Sequence, residues 1–369
     1  MLPTTLPVDW QYISSTFHLP NPGHKKISDF QLTKVIGTGD VSRVWLARRK
    51  VDNLPCAIKV MQKKYYIDTR TSERALDELE ILQSLRHQFI VSIRGAFSNN
   101  SYLFLEMDFA SRKTLRHIIE NHPEMSRANI RFYISQIAIA LDFLHSKQIL
   151  FRDLRPSNVL IDSEGYIKLT DFGSAIRIPD GVCNMPFINR NIFYSAPEIF
   201  TNRYDFSADW WSLGVIMFKM AYMGLPFGHP IPPLAFNLKE FHRRVIGEIL
   251  YERLTFPCRI GSPGEKLLRR LLSRDPSDRH LSICDIKEEH FFTTLDWDKL
   301  LSREMKPPYL PSEISIPWDS SLHPTSPESE RQSRTLKDVQ IHSDDLNLEQ
   351  NKSEDDDIFS AFTYTEDRL

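Results

Sequence analysis

The stretch ILFRDLRPSNVLID, residues 149–162, places an aspartate, an arginine and an asparagine close together ahead of an apolar run. Asp153 is a carboxylate that can accept a proton from a hydroxyl group, and Asn158 can turn a carbonyl oxygen toward a metal ion. Farther along, TDFGSA supplies Asp171 as a second oxygen ligand, and Mg²⁺ binds oxygen ligands together with phosphates. Each motif alone is more often a turn than a site, but their order and spacing favour phosphate chemistry.

Lys59 is a lone cation in the otherwise apolar stretch AIKV. Burying an ammonium group costs several kcal/mol unless a carboxylate pairs with it. Glu78, on the helix predicted to follow, is the candidate partner, and the pair would hold a cation against the α- and β-phosphates of a nucleotide. The alternative is an edge strand that leaves Lys59 in water.

The segment GTGDVSRV joins two predicted strands. Gly37 and Gly39 lack side chains, so backbone N–H groups of this turn could close over phosphates. The alternative is an ordinary tight hairpin, because Ser42 stands where a third glycine would complete a phosphate-binding pattern.

The surrounding elements divide into a β-rich part and a helical part. From residue 30 short β-rich runs alternate with turns, and ERALDELEILQSLRH carries leucines at helical spacing before the strand YLFLEMDF. Beyond residue 111 the periodicity is mainly helical up to about residue 292, interrupted by a hairpin predicted to turn at residues 163–165. A long core helix is predicted from the apolar stripe of Ile130, Tyr133, Ile137, Leu141 and Leu144. Residues 1–29 indicate an irregular arm, and residues 293–369, rich in Pro, Ser and acidic side chains, indicate an extended tail. The predicted class is α+β.

The composition of the 369 residues, 41% apolar and 25% charged, is ordinary for a globular protein. A net charge of −2 gives no reason to expect a nucleic-acid partner. No apolar run approaches the roughly 18 residues that a membrane-spanning helix needs. The four cysteines are scattered and the first residues lack a secretory pattern, so we expect a cytoplasmic or nuclear protein.

The motifs together resemble a known family. The segments GTGDVSRV, AIKV, RDLRPSN, DFG, SAPE and ADWWSLG occur in the order of the eukaryotic protein-kinase signature set, over residues 30–292. The resemblance implies a bilobal fold with an N-lobe at 30–107, a hinge at 108–110 and a C-lobe at 111–292. It also implies ATP and Mg²⁺ as cofactors and a protein substrate.

The resemblance assigns roles to individual residues. It implies that Asp153 orients and deprotonates the substrate hydroxyl beside Arg155, that Asn158 and Asp171 hold Mg²⁺, and that Met107 is the gatekeeper. The implied ATP-binding residues are Ile36, Gly37, Thr38, Gly39, Val44, Ala57, Lys59, Glu78, Asp108, Ala110 and Leu160. The implied structural residues are Phe151, Phe172, Asp209 and the buried ion pair of Glu198 with Arg279.

Two positions of the catalytic loop depart from the family pattern. Phe151 replaces a usual His or Tyr, but an aromatic ring preserves packing against Phe172. Arg155 keeps a cation beside Asp153, as in tyrosine kinases, so charge stabilisation survives with altered geometry. We therefore predict a functional loop.

The C-terminal residues resemble the extension of AGC-group serine/threonine kinases, most closely the ribosomal-protein S-six kinase branch. WDSSL at Trp318 is similar to the active-site tether, PTSPES, with Ser326, to the turn motif, and FSAFTY to the hydrophobic motif. The resemblance implies that Phe359 and Phe362 dock on the small lobe and that Thr363 is phosphorylated by an upstream kinase. The alternative is a disordered end with incidental aromatic residues.

The activation segment departs from AGC kinases. Phe187 lies where they carry a phosphorylated Thr, and no Ser or Thr lies between Ala175 and Tyr194. Arg152 therefore lacks a phosphate partner, and we expect activation that does not depend on phosphorylation of this segment. Asn191 and Arg190 replace a threonine and a glycine of the family.

Substrate selection also differs from basophilic AGC kinases. The positions that normally carry acidic side chains correspond here to Thr114, Ser157 and Lys219, so attraction for arginine is removed or reversed. The full set Lys59, Glu78, Asp153, Asn158 and Asp171 favours a serine/threonine kinase, which we expect to be a monomer. The alternative is a pseudokinase scaffold that binds nucleotide or partners with little turnover, as Ser42, Arg155 and Arg190 would permit.

Overall fold

A computed structural model of the chain describes a defined set of residues. The set is 25–39, 41–111, 113–186, 191–228, 238–257, 260–279, 282–311, 359 and 362–365. The chain divides into two compact units. Of the described residues, the first unit contains 25–79, 93–109, 359 and 362–365, and the second contains 80–92 and 110–311.

The first unit is built on a six-stranded antiparallel sheet of order β1-β2-β3-β5-β4-β10. Its strands are β1 (Phe30–Thr38), β2 (Ser42–Arg49), β3 (Pro55–Gln62), β4 (Ile93–Ser98), β5 (Tyr102–Asp108) and β10 (Tyr364–Thr365). Two helices follow β3, namely α1 (Lys63–Asp68) and α2 (Ser72–Gln83). The predicted α2 ends before Leu85, because the Ser84 hydroxyl donates to the Ile81 carbonyl at 2.7 Å and competes with the helical pattern.

The two faces of this sheet differ, as the alternation of side chains along a strand requires. One face carries stacked aromatic rings, with Phe97 at 5.6 Å from Phe30 and 4.9 Å from Phe104 between ring centroids. Lys59 lies opposite Leu105 in the β3–β5 register, on the other face. The alternation therefore separates an apolar core from the face that bears the cation.

A glycine permits the approach of the C-terminal strand to β4. Tyr364 pairs with Ala96 and Thr365 with Gly95. A Cβ at Gly95 would lie 2.8 Å from Lys25 Nζ and 3.1 Å from the Tyr364 carbonyl oxygen. Lys25 of the arm and Tyr364 of the tail thus both occupy the space beside Gly95. Strand β10 was not predicted from the sequence.

The second unit is mainly helical. Its helices are α3 (Leu115–Asn121), α4 (Arg127–Ser146), α5 (Ser207–Tyr222), α6 (Leu238–Tyr251), α7 (Ser262–Leu271), α8 (Ile283–Glu288) and α9 (Trp297–Leu301). Its two-stranded sheets pair β6 (Ile149–Leu150) with β9 (Ile176–Arg177) and β7 (Val159–Ile161) with β8 (Ile167–Leu169). The predicted α+β class, with a β-rich unit and a helical unit, is confirmed.

Helix α4 forms the centre of the second unit. Ser126 caps it by accepting a hydrogen bond from the Asn129 N–H at 3.1 Å. The predicted apolar stripe is buried and consists of Ile130, Tyr133, Ile137, Leu141 and Leu144. Burial of this stripe holds the helix, since each large apolar side chain contributes roughly 1.5–3 kcal/mol.

Residues after α9 pack on the β7–β8 hairpin within the second unit. Arg303 forms ion pairs with Asp162 at 2.9 Å and Glu164 at 2.8 Å, and it lies over the Tyr166 ring at 5.0 Å. Gly165 turns the hairpin with a φ of +84°, which favours glycine. The hairpin that positions the catalytic loop is therefore anchored by the first residues of the predicted tail.

Candidate active site

The glycine-containing turn between β1 and β2 is closed by Ser42. The Gly39 N–H donates to the Ser42 carbonyl at 2.8 Å, and a Cβ at Gly39 would lie 2.9 Å from Ser42 Oγ. A side chain at position 39 would therefore have to displace the Ser42 hydroxyl. Gly37 pairs with Val44 beside a β-bulge, while Ile36 and Thr38 belong to β1. Ser42, which departs from the glycine pattern, thus supports the turn.

The Lys59–Glu78 ion pair is present. Lys59 Nζ lies 2.6 Å from Glu78 Oε1, and the two side chains are 9% and 3% exposed. Because β3 lies between β2 and β5, the alternative of an exposed edge strand for Lys59 does not hold. A buried ammonium of this kind requires its carboxylate, so β3 and α2 fix one cation in a defined place.

The end of β5 carries the residues expected to face adenine. Met107 is buried and lies opposite Ala57 in the β3–β5 register. The Asp108 carboxylate accepts two hydrogen bonds from Arg94, at 2.6 and 3.2 Å. Ala110 and Leu160 belong to the second unit and are half-buried.

The backbone at the start of the catalytic loop is hydrogen-bonded to a buried carboxylate of α5. Asp209, 1% exposed, accepts hydrogen bonds from the backbone N–H groups of Phe151 and Arg152, both at 2.9 Å. His145 Nε2 lies 2.8 Å from the same carboxylate. Three contacts to one rigid helical residue therefore fix the backbone that carries Asp153.

Asp153 lies between an amide and a guanidinium. The Asn158 amide nitrogen donates to the Asp153 carbonyl oxygen at 2.9 Å and to its Oδ2 at 3.0 Å. Arg155 Nε lies 3.4 Å from Oδ2, and the Asp153 side chain is 11% exposed. With its nitrogen donating inward, Asn158 leaves its amide oxygen as the end that can bind a cation.

The metal ligands expected from the sequence are both in the second unit. Asn158 is buried, whereas Asp171 is exposed and has a left-handed φ of 65°. Within the described residues there is no cluster of three or more His, Cys, Asp and Glu side chains that could hold a metal. An amide oxygen with one carboxylate fits Mg²⁺, which keeps water and phosphate ligands rather than occupying an all-protein cage.

Aromatic packing replaces the polar edge lost at Phe151. The rings of Phe151 and Phe172 meet edge to face, with centroids 5.1 Å apart, and both residues are almost completely buried. This geometry is favourable for two aromatic rings. The departure from His or Tyr at Phe151 is therefore accommodated.

The Glu198–Arg279 pair is buried and extensively bonded. Arg279 Nη2 donates to Glu198 Oε2 at 2.8 Å, Nη1 contacts Oε1, and Nε donates to the Ser273 carbonyl at 2.8 Å. The guanidinium lies 5.1 Å from the Trp211 ring. This bidentate pair joins the SAPE motif, through Glu198, to the loop before α8.

The two aromatic residues of the tail lie in the first unit. Phe359 and Phe362 are each 1% exposed, and Lys63 Nζ lies 5.6 Å from the centre of the Phe359 ring. Thr363 is exposed. The alternative of incidental, unpacked aromatics is thus excluded for these two rings. Trp318, Ser326, Phe187 and Arg190 lie outside the described residues.

Two contacts, one in each unit, were not predicted from the sequence. Lys25 pairs with buried Glu106 at 2.7 Å, and Arg152 Nη1 donates to the Tyr204 hydroxyl at 3.3 Å. Buried Glu106 follows the same rule that revealed Lys59, because a lone charge in an apolar strand needs a partner. No sequence signal connects Arg152 with Tyr204.

A family model described as the protein kinase domain matches residues 30–292. The chain belongs to the protein kinase family. It is 33% identical over 368 residues to ribosomal protein S6 kinase alpha-3 of Homo sapiens, covering 93% of this chain and 48% of the human protein. It is 32% identical over 316 residues to cAMP-dependent protein kinase type 3 of Saccharomyces cerevisiae, covering 84% of this chain and 75% of that kinase.

A third relative broadens this comparison. The chain is 31% identical over 314 residues to the cAMP-dependent protein kinase catalytic subunit of Arthrobotrys oligospora, covering 83% of this chain. The match spans 58% of that protein, so the chain covers less than two thirds of this relative and of the human one. These relatives support assignment of the kinase to the AGC group. None of the described helices is long and apolar enough to cross a membrane.

Proposed function

We propose that this kinase transfers the γ-phosphoryl group of ATP to a Ser or Thr hydroxyl of a protein substrate. The observation that carries the proposal is the environment of Asp153, whose Oδ2 lies 3.0 Å from the Asn158 amide nitrogen and 3.4 Å from Arg155 Nε. A general base needs such a fixed orientation.

In the proposed reaction the substrate hydroxyl oxygen forms a bond to the γ-phosphorus. The bond from that phosphorus to the oxygen bridging the β-phosphate breaks, and the hydroxyl proton passes to the Asp153 carboxylate. Lys59 would bind the α- and β-phosphates, Asn158 and Asp171 would hold Mg²⁺, and Arg155 would lie beside the developing charge. Mg²⁺, when bound, neutralises charge on the phosphates. The assignment of these residues to one nucleotide rests on family membership.

The test is incubation of the full chain with γ-labelled ATP, Mg²⁺ and a peptide library that contains Ser, Thr and Tyr. Labelled phosphoserine or phosphothreonine that disappears when EDTA is added supports the proposal. The alternative function, a nucleotide-binding scaffold, predicts thermal stabilisation by Mg-ATP without label transfer.

Substrate selection follows from the charges around α3 and α5. Thr114 caps α3, and Lys219 lies in the last turn of α5. Burial raises the pKa of Tyr194 to about 12, and the positive charges of Arg116 and Arg155 act on the same hydroxyl in the opposite direction. Thr114, Ser157 and Lys219 place no acidic side chain at the positions compared with the arginine-reading sites of basophilic kinases, which disfavours basic peptides.

On a positional peptide array we expect acidic residues upstream of the acceptor to be preferred over arginine by roughly tenfold, since each unit charge reversed near a surface is worth about 1 kcal/mol or more. Lys219→Glu should reduce this preference, while Lys299→Glu, a change of an exposed α9 residue, should not. Selection of arginine by the unsubstituted kinase would refute the proposal.

We also propose that the kinase is regulated through the hydrophobic motif. An upstream kinase modifies the exposed Thr363, and the chain acts as a monomer.

Phe362→Ala removes a ring that is 1% exposed, at a cost of roughly 3–5 kcal/mol. We expect release of β10 and at least about tenfold lower kcat/KM. Amide exchange at Tyr364 measures release, and Tyr251→Ala, at a residue 84% exposed, is the control. Unchanged exchange and activity would contradict the regulatory role.

A further inference from the structure

Arg152, the residue before Asp153, connects three segments of the second unit. Its backbone N–H donates to Asp209 Oδ1 at 2.9 Å, and its φ of 67° is left-handed. Its Nε donates to the Ser174 carbonyl, and its Nη1 donates to the Tyr204 hydroxyl at 3.3 Å. Among the described residues, the recorded hydrogen-bond acceptors of this guanidinium are the Ser174 carbonyl and the Tyr204 hydroxyl. Its side-chain partners are therefore neutral oxygen atoms.

Tyr204 is itself tied to the activation segment. The Cys183 N–H donates to the Tyr204 carbonyl at 2.7 Å, and the Tyr204 N–H donates to the Cys183 carbonyl at 3.1 Å. Both residues are almost completely buried. Burial and the hydrogen bond with the Cys183 side chain raise the pKa of Tyr204, whereas Arg152 lowers it. The net shift is upward, so the phenol remains protonated and neutral near pH 7.

Between Ala175 and Tyr194 the activation segment contains no Ser or Thr whose modification could supply Arg152 with a phosphate. A hydroxyl fixed by backbone pairing can accept a charge-assisted hydrogen bond without any modification. We propose that Tyr204 is a positioning residue for phosphoryl transfer. Its hydroxyl holds Arg152, and this contact fixes the position of the Asp153 loop relative to the activation segment without a phosphate. This inference rests on the proposed kinase activity.

Tyr204→Phe removes only the hydroxyl. We expect kcat to fall by roughly tenfold or more, because a guanidinium N–H loses its acceptor. The KM for Mg-ATP should stay within about twofold, since Lys59 and Glu78 are unchanged. Tyr251→Phe, at an exposed position, is the matched control. A fall in kcat equal to that of the control would overturn the inference.

A double-mutant cycle with Arg152→Lys separates positioning from general stability. If Tyr204 acts through Arg152, the double variant should lose no more kcat than the more impaired single variant. If the fold reduction in kcat of the double variant equals the product of the two single reductions, the proposal is overturned. Mass spectrometry of the active protein should find no phosphate on Ser174, Tyr194 or Ser195, which flank the stretch without Ser or Thr, and a stoichiometric activating phosphate on any of them would also overturn the proposal.

Amide hydrogen exchange tests the inference independently of turnover. In Tyr204→Phe we expect faster exchange at the Cys183 amide than in the unsubstituted protein, with exchange in α4 unchanged. If the unsubstituted protein transfers no phosphate, the proposed function fails and this exchange measurement alone decides whether the Arg152–Tyr204 contact orders the segment. Equal exchange in both proteins would contradict that role.

Discussion

Asp153→Asn is expected to lower kcat by roughly 10²–10⁴-fold, the usual contribution of a general base. The substitution keeps the size of the side chain but removes the carboxylate that accepts the substrate proton. The Asn158 amide still lies against the backbone carbonyl of residue 153, at 2.9 Å in the unsubstituted protein, so the loop should keep its conformation. Mg-ATP affinity should therefore change little.

Single-turnover transfer from γ-labelled ATP measures this effect, and the binding of Mg-ATP is measured separately. Asp298→Asn is the matched control, because Asp298 is an exposed residue of α9. Equal single-turnover rates in Asp153→Asn and the control would remove Asp153 from the reaction. A loss of nucleotide affinity as large as the loss of rate would instead indicate damage to the site.

Glu198→Gln should destabilise the second unit by roughly 3–5 kcal/mol, because it leaves the Arg279 charge buried without its carboxylate. The Arg279 side chain is fully buried and uses Glu198 as a bidentate partner. For a unit of this size the midpoint of thermal unfolding should fall by roughly 6 °C or more.

Tryptophan fluorescence during thermal unfolding measures this change, since Trp211 lies beside Arg279. Glu120→Gln provides the control, because it breaks the Arg116–Glu120 pair on the exposed surface of α3, where side chains are 61% and 50% exposed. That loss should be below about 1 kcal/mol. Similar midpoints for the two variants would show that burial adds nothing to the Glu198–Arg279 pair.

Local rules were sufficient to predict much of the architecture. The stripe of α4 follows from helical periodicity, and the β7–β8 hairpin follows from the turn residues around Gly165. The Lys59–Glu78 pair was predictable because a lone cation in an apolar strand requires a carboxylate on the next element. In each case one short stretch contains the physical reason.

Contacts between distant segments were not predictable in this way. The pairing of β10 with β4 depends on a glycine at position 95, whose importance appears only when Lys25 and the Tyr364 carbonyl occupy the space beside it. The Arg152–Tyr204 contact likewise joins residues with no shared period or motif. Such contacts form only when distant segments meet in the folded chain, so local sequence patterns do not predict them.

The central proposal, which rests on family membership, is that Lys59 binds the phosphates of ATP and that Asn158 and Asp171 bind its Mg²⁺. Calorimetric titration of ATP, with Mg²⁺ and with EDTA, tests it most directly in the unsubstituted kinase, Lys59→Met and Asp171→Asn. We predict that Mg²⁺ strengthens ATP binding by roughly tenfold or more, that Lys59→Met weakens binding, and that Asp171→Asn abolishes the advantage of Mg²⁺. Absence of saturable Mg-ATP binding, or an undiminished Mg²⁺ advantage in Asp171→Asn, would contradict the claim.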